Sequence, residues 1–156
     1  GLATGLAGQR FGVRISGATL VVEGVGAHGC EYMTGGCALI LGEVGQNFAA
    51  GMTGGVAYVY DERRTLAARC NTEMVRLCTP SEAELEQIRA LIEEHVRYTA
   101  SPRGIKLLYQ FATASRRFVK VVPTDYERAM KIVEEAERRG ATREQALEEA
   151  FEAITA

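Results

Sequence analysis

Charge is scarce where this sequence begins. Residues 1–60 carry five charged side chains, Arg10, Arg14, Glu23, Glu31 and Glu43, and the other 33 of the chain's 38 all follow. The formal net charge is −2, so no basic excess draws the chain to nucleic acid or to an anionic membrane surface. Long apolar runs are missing as well. The longest are of the kind VAYVY at 56–60, far short of the roughly 20 residues a membrane helix needs. No basic start leads into an apolar segment, so nothing reads as a secretory signal. The chain opens on Gly1, which fits a processed form or an excised domain. Four cysteines (Cys30, Cys37, Cys70 and Cys78) are too few for a disulfide framework at this length, and with no signal they point to a reducing cytoplasm.

Glycine is what the first part has instead. Fifteen of the 17 glycines lie at or before Gly55. MTGG occurs at 33–36 and again at 52–55, each time ahead of an apolar run. With Gly26–Leu41 set over Gly45–Tyr60, six of 16 positions match: Gly26/Gly45, Met33/Met52, Thr34/Thr53, Gly35/Gly54, Gly36/Gly55 and Ala38/Ala57. An earlier copy, Gly8–Val22, puts GQRF (8–11) over GQNF (45–48) and Ile15 over Met33. Each unit opens on a glycine pair (Gly5/Gly8, Gly24/Gly26, Gly42/Gly45), at a spacing of 18 and then 19 residues. That period is too short for helical-pair repeats, and the content is strand and glycine turn.

The repeat predicts a single-stranded right-handed β-helix, a mainly β solenoid over residues 1–61. An appended helical tail over 62–156 would pack on it as one structural unit. Stacked coils would align Thr19, Cys37 and Val56, then Leu20, Ala38 and Ala57, then Val21, Leu39 and Tyr58, then Val22, Ile40 and Val59. Alternation along a strand sends Leu20, Val22, Ala38, Ile40, Ala57 and Val59 into the coil. Val21, Cys37, Leu39, Leu41, Val56, Tyr58 and Tyr60 fall on the opposite face, which is too apolar to stay wet. Either the tail or another domain covers it. Open coil ends need caps, so earlier coils, a partner or a second copy is expected before Gly8.

In the tail, 80–99 reads as a helix opened by a capping box of Ser81 and Glu84. Its apolar stripe is Leu85, Ile88, Leu91, Ile92 and Val96. A second helix over 101–114 has Ser101 as N-cap and Pro102 in its first turn, with Leu107, Leu108 and Phe111 on its buried side. A short strand follows at 117–122. Helices over 124–140 and 142–154 open with the pairs Thr124/Glu127 and Thr142/Gln145.

Candidate chemistry is thin. His28, Cys30 and Glu31 in AHGCEY could hold a metal or activate a thiol, but one His and one Cys are too few ligands. The Cys30–Cys37 and Cys70–Cys78 spacings are too long for a zinc knuckle. GVGAHG (24–29) has the form G-x-G-x-x-G, yet a strand-rich repeat follows where a dinucleotide site needs a helix. Met33 and Met52 read as packing, His95 as a solvated helix residue, and Arg63 and Arg64 as contacts to a neighbouring domain. No residue is assigned a catalytic, cofactor-binding or metal-binding role.

The stretch SGATLVVEGVGAHGCEYMTGGCALILGEVGQNFAAGMTGGVAYVYD (16–61) resembles the C-terminal glycine-repeat domain of the glutamate synthase large subunit. EMVRL (73–77), LIEEHVRYTASPRGIKLL (91–108) and RFVKVVPTDYERAM (117–130) resemble the segments that follow it there, so the likeness covers roughly residues 1–130. The resemblance implies a non-catalytic scaffold in an oxidoreductase that converts glutamine and 2-oxoglutarate into glutamate. The partners would be the glutaminase and synthase domains. FMN and an iron–sulfur cluster would sit in those domains and none in this chain. Alternatives stay open, a free-standing enzyme using His28, Cys30 or Glu31 among them. The β-helix subunit of formylmethanofuran dehydrogenase is similar to the glycine repeats, and a free-standing homo-oligomeric scaffold would also fit them.

Overall fold

The computed structural model describes residues 18–155. Five strands make one sheet: β1 (Thr19–Val22), β2 (Thr34–Ile40), β3 (Gly54–Tyr60), β4 (Val75–Cys78) and β5 (Phe118–Pro123), in the order β1-β2-β3-β5-β4. The helices are α1 (Leu66–Arg69), α2 (Glu82–Thr99), α3 (Pro102–Tyr109), α4 (Phe111–Ala114), α5 (Thr124–Arg138) and α6 (Arg143–Thr155).

The repeat sets the register of the first three strands. β1 and β2 pair in parallel with Thr19 opposite Cys37 and Val22 opposite Ile40, and β2 pairs with β3 from Cys37/Val56 to Ile40/Val59. The connecting loops stack at the same offset. The His28 amide donates to the Gln46 carbonyl at 2.9 Å, that of Tyr32 to Ala50 at 2.8 Å, and that of Thr53 to Met33 at 2.9 Å. Their backbones bend alike. His28, Cys30 and Tyr32 have φ of 63, 56 and 56°, and Asn47, Ala49 and Gly51 have 60, 65 and 65°. Five of these six are not glycine, so each loop holds strained left-handed positions in place through stacking and burial.

The expected β-helix does not form. The sheet is open and mixed, and the fold is α/β. The repeat ends at β3, whose free edge is taken by β5 running antiparallel, with Ala57 opposite Val121 and Tyr60 opposite Phe118. β4 then pairs antiparallel with β5. β3 and β5 lie some sixty residues apart in the chain, and they form an antiparallel pair where a solenoid would add another parallel coil. Of the earliest unit, the residues up to Gly17 lie outside those described. The expected position of Ile15 over Met33 and Met52 and the cap sought before Gly8 therefore lie outside as well.

Each sheet face has its own core. Val22, Ala38, Ile40, Ala57 and Val59 meet Met33, Phe48 and Met52 from the stacked loops, with Val121 alongside. On the other face Val21, Leu39, Leu41, Tyr58 and Tyr60 are covered by Ile88 and Ile92 of α2, Leu107 of α3 and Phe111 of α4. The tail helices are thus what dries the apolar face. A third, small cluster of Val133, Ala136, Ala146 and Ala150 holds α5 against α6.

The tail differs from expectation in four places. β4 and α1 arise where no element is predicted. The second predicted helix breaks at Gln110 into α3 and α4. Thr124 makes no cap: Pro123 stands at the N-cap of α5 without a side-chain bond, and Glu127 instead grips Arg76 at 2.6 Å. His95 is fully buried and not solvated. It continues the Ile88–Ile92 stripe at helical spacing, and α3 folds back over it.

Candidate functional site

Chemistry-bearing side chains gather in two places. The first is the loop between β1 and β2. Cys30 is fully buried among Met33, Phe48 and Met52. Burial, reinforced by the nearby Cys37 and Cys70 thiols, pushes its thiol up to about 12. Burial of this kind disfavours the thiolate form that nucleophilic attack or metal binding uses. His28 is 43% exposed, and its Nδ1 lies 2.9 Å from Glu31 Oε2, whose side chain is almost wholly buried. The structure therefore joins His28 to Glu31, while Cys30 is enclosed among apolar side chains. Among the described residues no three His, Cys, Asp or Glu side chains are grouped to hold a metal ion.

The second place has no motif to announce it. Glu23 leaves the C-terminal end of β1 and meets the corner between α2 and α3. Its Oε2 accepts from Ser101 Oγ and lies 3.2 Å from His95 Nε2, and both partners are fully buried. Ser101 Oγ in turn caps α3 by accepting the Gly104 amide at 3.0 Å. The corner exists because α2 stops at Ala100 in the left-handed region (φ 53°) and Pro102 starts the next helix at once. Serine, histidine and a carboxylate sit together here, but in the wrong order for nucleophilic catalysis. The carboxylate stands between the other two, so the serine has no imidazole to take its proton. Nε2 faces the carboxylate, and Nδ1 is buried with no hydrogen-bond partner among the described residues. The arrangement clamps the helices to the sheet. The sequence signal for it was the apolar spacing that places His95 on the buried stripe.

Beside this clamp lies a cavity of about 230 Å³ at the C-terminal ends of β1, β2 and β3, with Glu23, Gly42, Asp61, Arg63, Leu66 and Arg103 in its wall. Crevices at that edge of a parallel sheet are where α/β proteins commonly bind ligands. Several of its polar groups also bond within the fold. Arg103 Nε donates to the Leu41 carbonyl at 2.5 Å, and Asp61 Oδ1 accepts the Thr65 and Leu66 amides at 2.9 and 3.2 Å. Arg63 pairs with Glu43 at 3.4 Å.

The G-x-G-x-x-G string binds the chain to itself. A Cβ on Gly45 would lie 2.5 Å from the Gly26 carbonyl carbon and from the Ala27 nitrogen. These glycines let one loop rest on the next, and no helix opens from them.

A family model described as the GXGXG motif matches residues 2–124. The chain belongs to the GXGXG family. This GXGXG chain is 47% identical over 153 residues to the glutamate synthase [NADPH] large chain of Bacillus subtilis (strain 168), a match that covers 97% of this chain and 10% of that one. It is 49% identical over 144 residues to the glutamate synthase [NADH] of Schizosaccharomyces pombe, covering 92% of this chain and 6% of the relative. It is also 49% identical over 127 residues to ferredoxin-dependent glutamate synthase 1, chloroplastic/mitochondrial, of Arabidopsis thaliana, covering 80% and 8%. The GXGXG chain thus spans a tenth or less of the length of these relatives. No helix among its described residues is long and apolar enough to cross a membrane.

Proposed function

We propose that this chain is a non-catalytic structural domain of a glutamate synthase. It would brace the glutaminase domain and the synthase domain that carries FMN and an iron–sulfur cluster, in the cytoplasm. The observation that carries the reading is the pattern of likeness. Nearly the whole chain matches glutamate synthases whose names specify NADPH or NADH, and it matches only a small part of each. The side chains support it. The buried Cys30 thiol and the Glu23–Ser101–His95 clamp serve packing, and a stack of loops and strands in fixed register holds its neighbours at fixed distances. No residue of this chain is given a catalytic or cofactor-binding role in this proposal.

Co-expression with the glutaminase and synthase polypeptides of the same organism tests it. The chain is expected to co-purify with them, and its omission is expected to abolish glutamate formation from glutamine and 2-oxoglutarate. Cys30→Ala, which keeps the position small and apolar, is expected to leave turnover unchanged. Failure to co-purify, or loss of turnover in a folded Cys30→Ala variant, would sink the reading.

A further inference from the structure

Helix α6 buries one side and leaves the next one bare. Ala146 and Ala150 close against Val133 and Ala136 of α5. Beside that seam Leu147, Phe151 and Ile154 are 49, 67 and 37% exposed. Steps of four and three residues put them in one stripe along the helix. Glu144 and Glu148, both exposed, run along its outer margin. Glu149 is engaged with Arg139 at 2.8 Å, whereas Glu144 and Glu148 form no ion pair with the described residues. An apolar stripe with an unneutralised acidic margin marks a contact surface whose other half is apolar and basic.

What covers it follows from size, charge and context. Two α6 stripes packed antiparallel about a two-fold axis would bring the acidic margins of both copies together, a like-charge contact that opposes pairing. The stripe is also short. Thirteen residues make a helix about 20 Å long, and one face of it offers much less than the roughly 800 Å² per partner of a stable free-standing interface. Such a contact holds best between parts already tied together, where the effective concentration is high. The relatives supply that setting. The Bacillus match takes in 153 residues and so reaches into α6, within a chain about ten times longer.

We propose that α6 docks through Leu147, Phe151 and Ile154 onto the remaining part of a glutamate synthase large chain. The receiving groove is apolar at its floor and carries Lys or Arg on the side that meets Glu144 and Glu148. This rests on the function proposed above, and the experiment separates the two. The chain is purified in complex with the remaining glutamate synthase sequence of the same organism, and amide exchange over residues 143–155 is compared between complex and free chain. The complex is expected to slow that exchange about tenfold or more. The double variant Leu147→Gln/Phe151→Gln, with its helix content checked by circular dichroism, is expected to lose the slowing and bind about tenfold more weakly. Glu148→Lys is expected to weaken binding most at low salt. A control on α3, Ile105→Gln/Tyr109→Ser, is expected to change neither. If the complex forms with α6 exchanging as it does in the free chain, or with the double variant binding like the parent, the docking proposal fails and the proposed function stands. If no complex forms, both fall. If the free chain self-associates and the double variant abolishes that, the occupant is a second copy and the proposal is overturned.

Discussion

At the scale of single residues, the repeat glycines are where strand and loop backbones touch. A Cβ on Gly54 would sit 2.1 Å from the carbonyl oxygen of Thr34, a backbone atom that cannot swing aside. Gly140 is the contrast: its φ is 94°, and nothing lies within 4 Å of where a Cβ would be. Gly54→Ala is therefore expected to cost about 3 kcal/mol as overpacking between neighbouring strands. Gly140→Ala should cost about 1 kcal/mol, for backbone strain alone. Urea unfolding of both variants compares them, and a Gly54→Ala cost no larger than that of Gly140→Ala would refute the close-approach account. Much at this scale was legible. Aligning Gly26–Leu41 with Gly45–Tyr60 gives the same partners as the observed β2–β3 register from Cys37/Val56 onward. Equal spacing between repeats is itself a statement about which backbone lies beside which. Glu23 was not legible as a clamp, because its partners His95 and Ser101 are more than seventy residues away.

At the scale of elements, local signals held where nothing distant competed. Ser81 and Glu84 form the expected capping box, with the Ser81 amide 2.9 Å from Glu84 Oε1 and the Glu84 amide 3.1 Å from Ser81 Oγ. Thr142 and Gln145 repeat the exchange at 2.9 and 3.1 Å. The Thr124/Glu127 pair failed because Arg76 of β4 competes successfully with the cap for the Glu127 carboxylate. Glu84 does more than cap. Its Oε2 accepts from the Tyr58 hydroxyl at 2.9 Å and meets Lys120 Nζ at 2.6 Å, tying α2 to β3 and β5. Burial alone would push this carboxyl up. The bonds from Lys120, the Ser81 amide and Tyr58 outweigh it and hold the group at about 2. Because the folded value lies below the unfolded one, the charge contributes its full stability above about pH 4.5. That contribution drains away as pH falls toward 2. Glu84→Gln keeps a capping side chain and removes only the charge. It is expected to lose about 1–2 kcal/mol at pH 7, allowing for solvent screening at a half-buried pair, and to show a flatter acid limb between pH 4.5 and 2. Thermal unfolding against pH measures both. An acid limb parallel to the parent's would show that Glu84 is not what shapes it.

At the scale of the whole molecule, the error about architecture and the success about register have one cause. Periodicity within residues 26–60 dictates how neighbouring passes pair, and it is silent on what meets the last one. That partner is β5, drawn from residues 118–123, and β5 in turn recruits β4. The same logic divides the molecule by its cores. Two large clusters share the sheet between them, while α5 and α6 keep a small one to themselves. Among the described residues, α5 is tied to β4 and the residue before it by the Thr124 amide and hydroxyl, which donate to the Met74 carbonyl at 3.1 and 3.4 Å, and by Glu127 to Arg76. The Arg76–Glu127 pair is largely exposed and worth little on its own. A chain ending at Pro123 therefore keeps both sheet cores. It is expected to unfold in one cooperative transition, with the helical dichroism of α5 and α6 gone and stability lower by about 2 kcal/mol or less. Denaturant unfolding followed by circular dichroism, and by the burial of Tyr58 and Tyr60, reads both quantities. A truncated chain with no cooperative transition would mean that the α5–α6 pair props up the sheet, and the division into separately sufficient cores would be wrong.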